Sequence, residues 1–502
     1  MQNEPKKDVY IFNSLTRSKE EFKPIHKGLV GLYVCGPTVY GDPHLGHARS
    51  AITFDIVRRY FMHLGYKVRH VRNVTDVGHL EDELSGSGQD RISKKARLEK
   101  LEPMEIAHAY TLSYRASMDK LNNLAPSIEP TATGHIQEQV EVIEKIIESG
   151  YGYEVSGSVY FDLKKFTENH EYGKLSGKVL DDLVVGTRDT EGLDEKRSPF
   201  DFALWKKAKP EHIMRWTSPW STGFPGWHLE CTAMSTKYLG NPFDIHGGGM
   251  DLQFPHHEAE IAQNVSATGQ SPVNYWMHNN MVTIDQQKMA KSLGNFINLE
   301  EFFTGEHEKL EQAYSPMTVR FFLLQAHYRS TIDFSNEALK AAEKGYKRLM
   351  STLKNVRAMA YSGKGNPDES RQEKLRKAVN DCYSHMSDDF NTARALASLY
   401  EMASVFNEIH AGNLSAAAIG EDLFEEARQT FDSMITDVLG LLPEEGGDEK
   451  RLDGTVSLLI ELRKQAKEDR NYAVSDHIRD ELKSFGIQLK DEKGGETTFS
   501  LD

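Results

Sequence analysis

The stretch Gly31-Leu32-Tyr33-Val34-Cys35-Gly36-Pro37-Thr38-Val39-Tyr40-Gly41-Asp42-Pro43-His44-Leu45-Gly46-His47 decides the fold. Gly31–Cys35 reads as a short buried strand, and Gly36–Pro43 as a Gly/Pro turn. Beyond the turn, apolar Ala48, Ile52, Val57, Tyr60 and Phe61 recur near helical spacing, which predicts an amphipathic helix through Phe61. Gly65 ends that pattern, and Val68–Val74 reads as a second strand. A strand-helix-strand unit of this kind builds parallel sheets, so the expected core is a Rossmann-type, nucleotide-binding α/β domain.

Outward from this unit the chain divides. At 502 residues and 39% hydrophobic content it is long enough for about three or four domains. Pro130–Pro219 reads as an insertion, with a helix at Ile136–Ser149, strand-like Val155–Leu163 and then a polar stretch rich in Gly, Asp and Lys. The core resumes with strand-like Phe243–His246 leading into Gly247-Gly248-Gly249, and Pro255 opens another helix, proline being favoured in a first turn. From about Ser330 the pattern is almost wholly helical, with breaks at Gly363–Pro367 and Pro443–Asp448. A last helical pair, Val456–Phe485, ends at Gly486. The fold class expected is multidomain: a parallel-sheet catalytic domain with an insertion, followed by all-α domains.

The N-terminal residues carry no signal-peptide pattern, and no apolar run approaches bilayer length, so a cytoplasmic protein that engages no membrane is expected. Three scattered cysteines, Cys35, Cys231 and Cys382, suit a reducing compartment better than a disulfide framework. The net charge of −15 argues against nonspecific coating of nucleic acid, yet charge is segregated. Lys340–Lys377 holds eleven Lys/Arg against four Asp/Glu, and Glu421–Asp453 three against eleven. Such runs are as readily solvated helix faces as RNA contacts.

His44 and His47, in a turn between strand and helix, point two imidazoles at a phosphate over the helix N-terminus, and Gly46 between them permits close approach. Lys288 and Lys291 sit three apart in a polar loop followed by Ser292, Gly294 and Asn295. When a carboxylate attacks the α-phosphate of ATP, charge builds on the departing pyrophosphate, and two ammonium groups can follow it. Either pair alone reads equally as surface residues. Together, in this order and split by a large insertion, they are specific for adenylate formation.

The pairing resembles the HIGH and KMSKS signatures of class I aminoacyl-tRNA synthetases. YVCGPTVYGDPHLGHARS (Tyr33–Ser50), SPWSTGFPGWHLECTAMS (Ser218–Ser235), DIHGGGMDLQFPHHEAEIAQ (Asp244–Gln263) and KMAKSLGN (Lys288–Asn295) are similar to the cysteinyl-tRNA synthetase family, and the resemblance spans essentially the whole chain. It implies ATP with Mg²⁺, L-cysteine and tRNA(Cys) as substrates, one Zn²⁺ per chain and a monomer. The implied organisation is a catalytic first half at 8–130, a connective insertion at 131–218, and a catalytic second half with the zinc site at 219–275. A KMAKS and stem-contact region at 276–330, a helical domain at 331–445 and an anticodon-binding end at 450–502 follow.

His256 and Glu260, at i and i+4, share one helix face, an offset that leaves His257 and Glu258 as poorer candidates for a shared ligand set. Two thiolates, an imidazole and a carboxylate suit Zn²⁺, although spacing alone leaves a scattered cysteine as readily a small core residue. The resemblance assigns Cys35, Cys231, His256 and Glu260 as zinc ligands, with the substrate thiol added to them. It implies that Thr75 and Trp227 hold cysteine and that Gly36, Gly46, Gly248 and Asp251 join His44, His47, Lys288 and Lys291 around ATP. Lys467 and Tyr472 are implied tRNA contacts, and Cys382 is expected to be packing.

The sequence departs from the family pattern at His47, where Asn is more usual, at Ala290 in place of Ser, and at Gln286-Gln287 in place of Gly-Glu. Two other functions compete: a cysteine:aminosugar ligase, whose relatives share HLGHA but lack the anticodon-binding end, and a non-catalytic RNA-binding paralogue, for which lost zinc or lysine positions are expected.

Overall fold

The computed structural model describes residues 8–77, 80–82, 87–178, 195–210, 212–289, 295–363, 365–444, 447–491 and 497–501. Strand β1 (Leu29–Val34) is followed by the predicted turn and by helix α1 (Leu45–His63), which runs two residues past Phe61. The chain returns through strand β2 (Lys67–Arg72), shorter than the expected Val68–Val74 because Val74 makes only an isolated bridge to Thr131. After the insertion come helix α2 (Leu229–Leu239), strand β3 (Phe243–Gly249), helix α3 (His256–Thr268) and strand β4 (Val273–Asn279). All four strands are parallel, in the spatial order β2-β1-β3-β4.

β1 and β3, far apart in sequence, are therefore neighbours, with Leu32 opposite Ile245 and Val34 opposite Gly247. The sequence order reverses between them, and α/β sheets bind ligands at such a switch, outside the carboxyl ends of the strands. The strand expected at Phe243–His246 runs on through the glycine triplet to Gly249. Two of its members admit no side chain: a Cβ at Gly247 would overlap the Phe54 ring of α1, and one at Gly248 would lie 2.8 Å from His257 Cε1. Loss of strand propensity is exchanged for close packing of a helix over the sheet.

The insertion forms its own five-stranded antiparallel sheet, Trp216–Thr217, Thr222–Pro225, Phe202–Lys207, Ser158–Phe161 and Gly152–Val155 in spatial order. The single strand expected at Val155–Leu163 is a hairpin, turned at Ser156-Gly157, where both residues have positive φ. Helix Ile136–Glu148 packs on this sheet through Val140, Ile143 and Ile146.

Past β4, Val282–Ile284 pairs with Gln287–Lys288 and with Ile332–Phe334, a strand inside the region expected to be helical. Helices Asn336–Ala358, Glu369–Ser387, Thr392–His410 and Glu421–Ser433 follow. One continuous apolar core runs from Val30 and Leu32 through Phe54 and Phe61 to Leu349, Phe406 and Leu441; Cys382, fully buried, lies within it. α1 is the shared spine. Arg320, fully buried, meets Asp55 of α1 at 2.5 Å and donates to the carbonyls of Leu439 and Leu121, while Arg59 meets Asp55 at 2.7 Å. Burial disfavours the Asp55 carboxylate, but the two guanidinium groups hold its pKa below the ordinary carboxylate value. Acidic partners from elsewhere answer several charges of the basic stretch, Lys340 pairing with Glu311, Arg357 with Asp432 and Arg371 with Glu408.

The chain falls into two units, the first ending at Leu442 and the second running from Pro443. The second holds helices Gly447–Glu468 and Tyr472–Ser484 and an antiparallel hairpin, Ile487–Asp491 with Thr497–Leu501, around Val456, Leu482 and Ile487.

Candidate active site and metal centre

At the carboxyl ends of β1 and β3 lies a cavity of about 590 Å³. Cys35, Gly36, His44, Gly46, His47, Thr75, Trp227, Cys231, Asp251 and His256 all line it. Gly248 does not, although Gly249 does, and Glu260 stands behind Cys35. Lys288 ends the short hairpin strand and Met289 reaches the cavity wall; the Lys288 side chain, Lys291 and the rest of the KMAKS loop fall outside the described residues. Lys467, exposed, and Tyr472, 62% exposed, flank the turn between the two helices of the second unit.

One wall is built locally. His44 is the N-cap of α1, and its Nδ1 accepts the Gly46 N–H at 3.0 Å. His47, at N3, accepts the His44 N–H on Nδ1 at 3.2 Å, which closes a capping box made of two histidines. With Nδ1 used as acceptor, a neutral ring carries its proton on Nε2, a donor for phosphate oxygens beside the positive end of the helix. Burial keeps His47 neutral by lowering its pKa to about 4. A Cβ at Gly46 would lie 2.8 Å from the His44 ring, so glycine is needed for this cap. Next to it, Gly36 donates to Asn73 Oδ1 at 2.8 Å, Asn73 donates to Thr75 Oγ1 at 3.0 Å, and a Cβ on Gly36 would overlap the Asn73 carbonyl.

The other wall is assembled from distant segments. Cys35 follows β1, Cys231 lies on α2, and His256 and Glu260 lie one turn apart on α3. Cys35 Sγ is 3.7 Å from Cys231 Sγ and 3.9 Å from Glu260 Oε1; His256 Nε2 is 3.4 Å from Cys231 Sγ and 3.1 Å from Glu260 Oε1. Ligands at ~2.0–2.3 Å from a tetrahedral zinc are separated by about 3.3–3.8 Å; the two separations from Cys231 fall in that range, and the two from Glu260, 3.1 and 3.9 Å, lie just outside it.

Sequence reasoning set His257 aside, yet its Nε2 is 3.2 Å from Cys35 Sγ, and Cys35, His256, His257 and Glu260 form one potential metal-binding group. Adjacent residues on a helix point only about 100° apart, so both histidines can reach one centre. The other ring nitrogen of His257 is 2.8 Å from His278, whose Nδ1 is 2.8 Å from Ser14 Oγ. His246 holds Glu260 Oε2 at 2.9 Å, and His228 meets His256 at 2.8 Å, nitrogen to nitrogen. No periodicity in the sequence marks His228, His246 or His278; their placement comes from tertiary contact.

Burial, the largest influence, raises the Cys35 thiol to about 12 and Cys231 well above its ordinary value. It also opposes charge on Glu260, but His246 and then His256 bring that carboxyl down to about 2. Burial works against His256 too, and is outweighed by the charges of Cys231 and Glu260, which raise it. A soft divalent cation would displace the thiol protons and relieve this cost. Trp227 packs beside this wall, its ring tilted by 38° and 5.0 Å from the His256 ring.

The model of the tRNA synthetases class I (C) catalytic domain matches residues 21–344, and the DALR domain matches 382–443. Cysteine–tRNA ligase of Bacteroides thetaiotaomicron is 56% identical over 97% of this chain and 97% of its own. The enzyme of the same name from Porphyromonas gingivalis is 55% identical over 97% and 98%. Methionyl-tRNA synthetase of Mycobacterium tuberculosis, solved with methionyl-adenylate, shares the fold at TM-score 0.58 and 13% identity, over 82% of this chain and 92% of that one. Signature turn, switch-point cavity, helical region and near-full-length identity agree: the chain belongs to the class I cysteine–tRNA ligase family.

Proposed function

We propose that the protein activates L-cysteine with ATP, as cysteinyl-adenylate, and transfers it to the terminal adenosine of tRNA(Cys). The observation that carries this reading is the cavity with the His44/His47 helix cap on one wall and Cys35, Cys231 and His256 on the other, Glu260 standing behind Cys35. Cys35, Cys231, His256 and Glu260 would hold one Zn²⁺, a Lewis acid with high affinity for the substrate thiolate and low affinity for a serine hydroxyl. An apolar pocket separates near-isosteres by only about 1–3 kcal/mol, so metal coordination gives the sharper discrimination.

In this reading Thr75 and Trp227 orient the amino acid, so that its carboxylate faces the α-phosphate. Gly36, Gly46 and Asp251 shape the ATP site, with Gly248 behind its lining at the end of β3 and Mg²⁺ accompanying the nucleotide. The Nε2–H groups of His44 and His47 stabilise charge that develops on phosphate oxygens in the transition state. Lys288 and Lys291 follow the departing pyrophosphate. Lys467 and Tyr472 contact the tRNA, Tyr472 by stacking on a base. The work is that of a cytoplasmic monomer.

Cysteine-dependent exchange of labelled pyrophosphate into ATP tests the first step, and its absence from zinc-loaded protein defeats the reading. Offering purified tRNA and an aminosugar side by side decides the acceptor. The DALR match and the second unit favour tRNA over the aminosugar.

A further inference from the structure

Glu258 lies between the two ends of the His256/Glu260 pair on α3 but faces away from their contacts. It is 1% exposed, and its two carboxylate oxygens accept backbone N–H groups of the insertion: Gly173 at 2.9 Å and Ser176 at 3.0 Å. A buried carboxylate is costly unless hydrogen-bonded, and here both oxygens are used on one short turn. The turn closes on itself, Gly177 N–H donating to the Gly173 carbonyl at 2.7 Å, and both glycines have positive φ (73° and 94°). At Gly173 an added Cβ would also overlap the Lys178 carbonyl. The shape of this turn is therefore built into the sequence.

The turn carries Leu175, 2% exposed, into the apolar cluster that contains Tyr33, Cys231, Met234 and Trp276 and against which Cys35 packs. Tyr172, the residue just before Gly173, packs against the separate core of the insertion. Four consecutive residues thus bridge the inserted module and the apolar backing of the two cysteines. The ligand set assigned from the family contains neither Glu258 nor Leu175, and neither residue lines the cavity.

We infer that Glu258 is a positioning residue for cysteine recognition: its carboxylate seats the Gly173–Ser176 turn so that Leu175 wedges behind Cys35 and Cys231 and fixes the spacing of the two sulfurs. This rests on the reading of those sulfurs as part of a thiol-binding metal centre. A tetrahedral site tolerates little change in donor spacing, so a loosened wedge acts on metal and thiol binding while the ATP wall, built by the α1 cap, is left as it is.

Glu258→Gln replaces one acceptor by an amide NH₂ that faces an N–H donor, and Leu175→Ala empties the wedge without touching the clamp. In pyrophosphate exchange with the full chain, each variant is expected to raise KM for cysteine by about tenfold and leave KM for ATP within about twofold. Each is also expected to lose zinc faster to a chromogenic chelator, and Leu175→Met, which conserves volume, to restore both properties. Unchanged cysteine KM and zinc release in both variants overturns the inference, and so does a rise of the two KM values in step. Should Glu258→Gln not fold, the Leu175 pair decides alone. A wild-type protein that shows no cysteine-dependent exchange defeats the functional reading instead, and the chelator assay then still separates a wedge from a passive contact.

Discussion

The two walls of the cavity are built in opposite ways. The α1 wall comes from four consecutive residues, His44–His47, whose mutual hydrogen bonds are decided within one helical turn. The opposite wall draws Cys35, Cys231, His256 and His257, with Glu260 behind Cys35, from three elements and sets them among further histidines. A local cap survives changes elsewhere. A centre of buried, mutually dependent polar groups does not, because each group that loses its partner is left unsatisfied in a low dielectric.

The sharpest way to break the comparison is Cys231→Ser. Cysteine-dependent exchange is expected to fall by more than about a thousandfold, the several kcal/mol that a Lewis acid contributes, with loss of bound zinc by metal analysis. Retention of both would show that the two walls are not chemically distinct. His47→Ala strikes the other wall: kcat for exchange is expected to drop about a hundredfold while KM for cysteine and zinc content stay near wild type. A matching fall in zinc content would mean that the walls are coupled. Next in size is His246→Gln, which removes the imidazole that holds Glu260 Oε2; zinc affinity is expected to weaken about tenfold, read by chelator competition, with ATP KM unchanged.

The smallest effect on activity is expected at His70, which lines the cavity under α1 and is 5% exposed. Burial, reinforced by Arg72 and Arg58, lowers its pKa to about 3. The folded protein keeps this ring neutral, whereas the unfolded chain protonates it below about pH 6.5. Its contribution to stability is full above that pH and is lost as pH falls toward 3, at up to about tenfold in the unfolding equilibrium per pH unit. Urea titrations of His70→Phe between pH 7 and pH 5 should therefore show a shallower pH dependence than wild type. An identical slope would remove His70 from the account.

Much of the first wall was legible because its signals are local. The alternation of a buried strand, a Gly/Pro turn and helical spacing placed β1, α1 and the histidine cap to within a few residues. The i, i+4 rule likewise brought His256 and Glu260 to one face, and their nitrogen and oxygen lie 3.1 Å apart. The same rule set aside His257, which the fold nonetheless brings within 3.2 Å of Cys35 Sγ, because adjacent residues on a helix point only about 100° apart. The strand that begins at Phe243 runs past its expected end at His246, and glycine is required at Gly247 and Gly248 because Phe54 and His257 occupy the space that side chains would fill. The charge pattern of Lys340–Lys377 left a solvated helix face and an RNA contact both open, and in the fold Arg357 and Arg371 find Asp432 and Glu408 across the bundle.

The α/β core and the place of the histidine turn were already legible in the chain, because each depends on residues near one another in sequence. The set Cys35, Cys231, His256 and Glu260 came from the family resemblance and not from spacing. Folding in three dimensions is what made β1 and β3 neighbours, brought His228 to His256, His246 to Glu260 and His278 to His257, and turned Glu258 toward the insertion. The reason is that buried polar groups take whichever partners the packed elements bring within hydrogen-bond reach, and that proximity is a property of the fold.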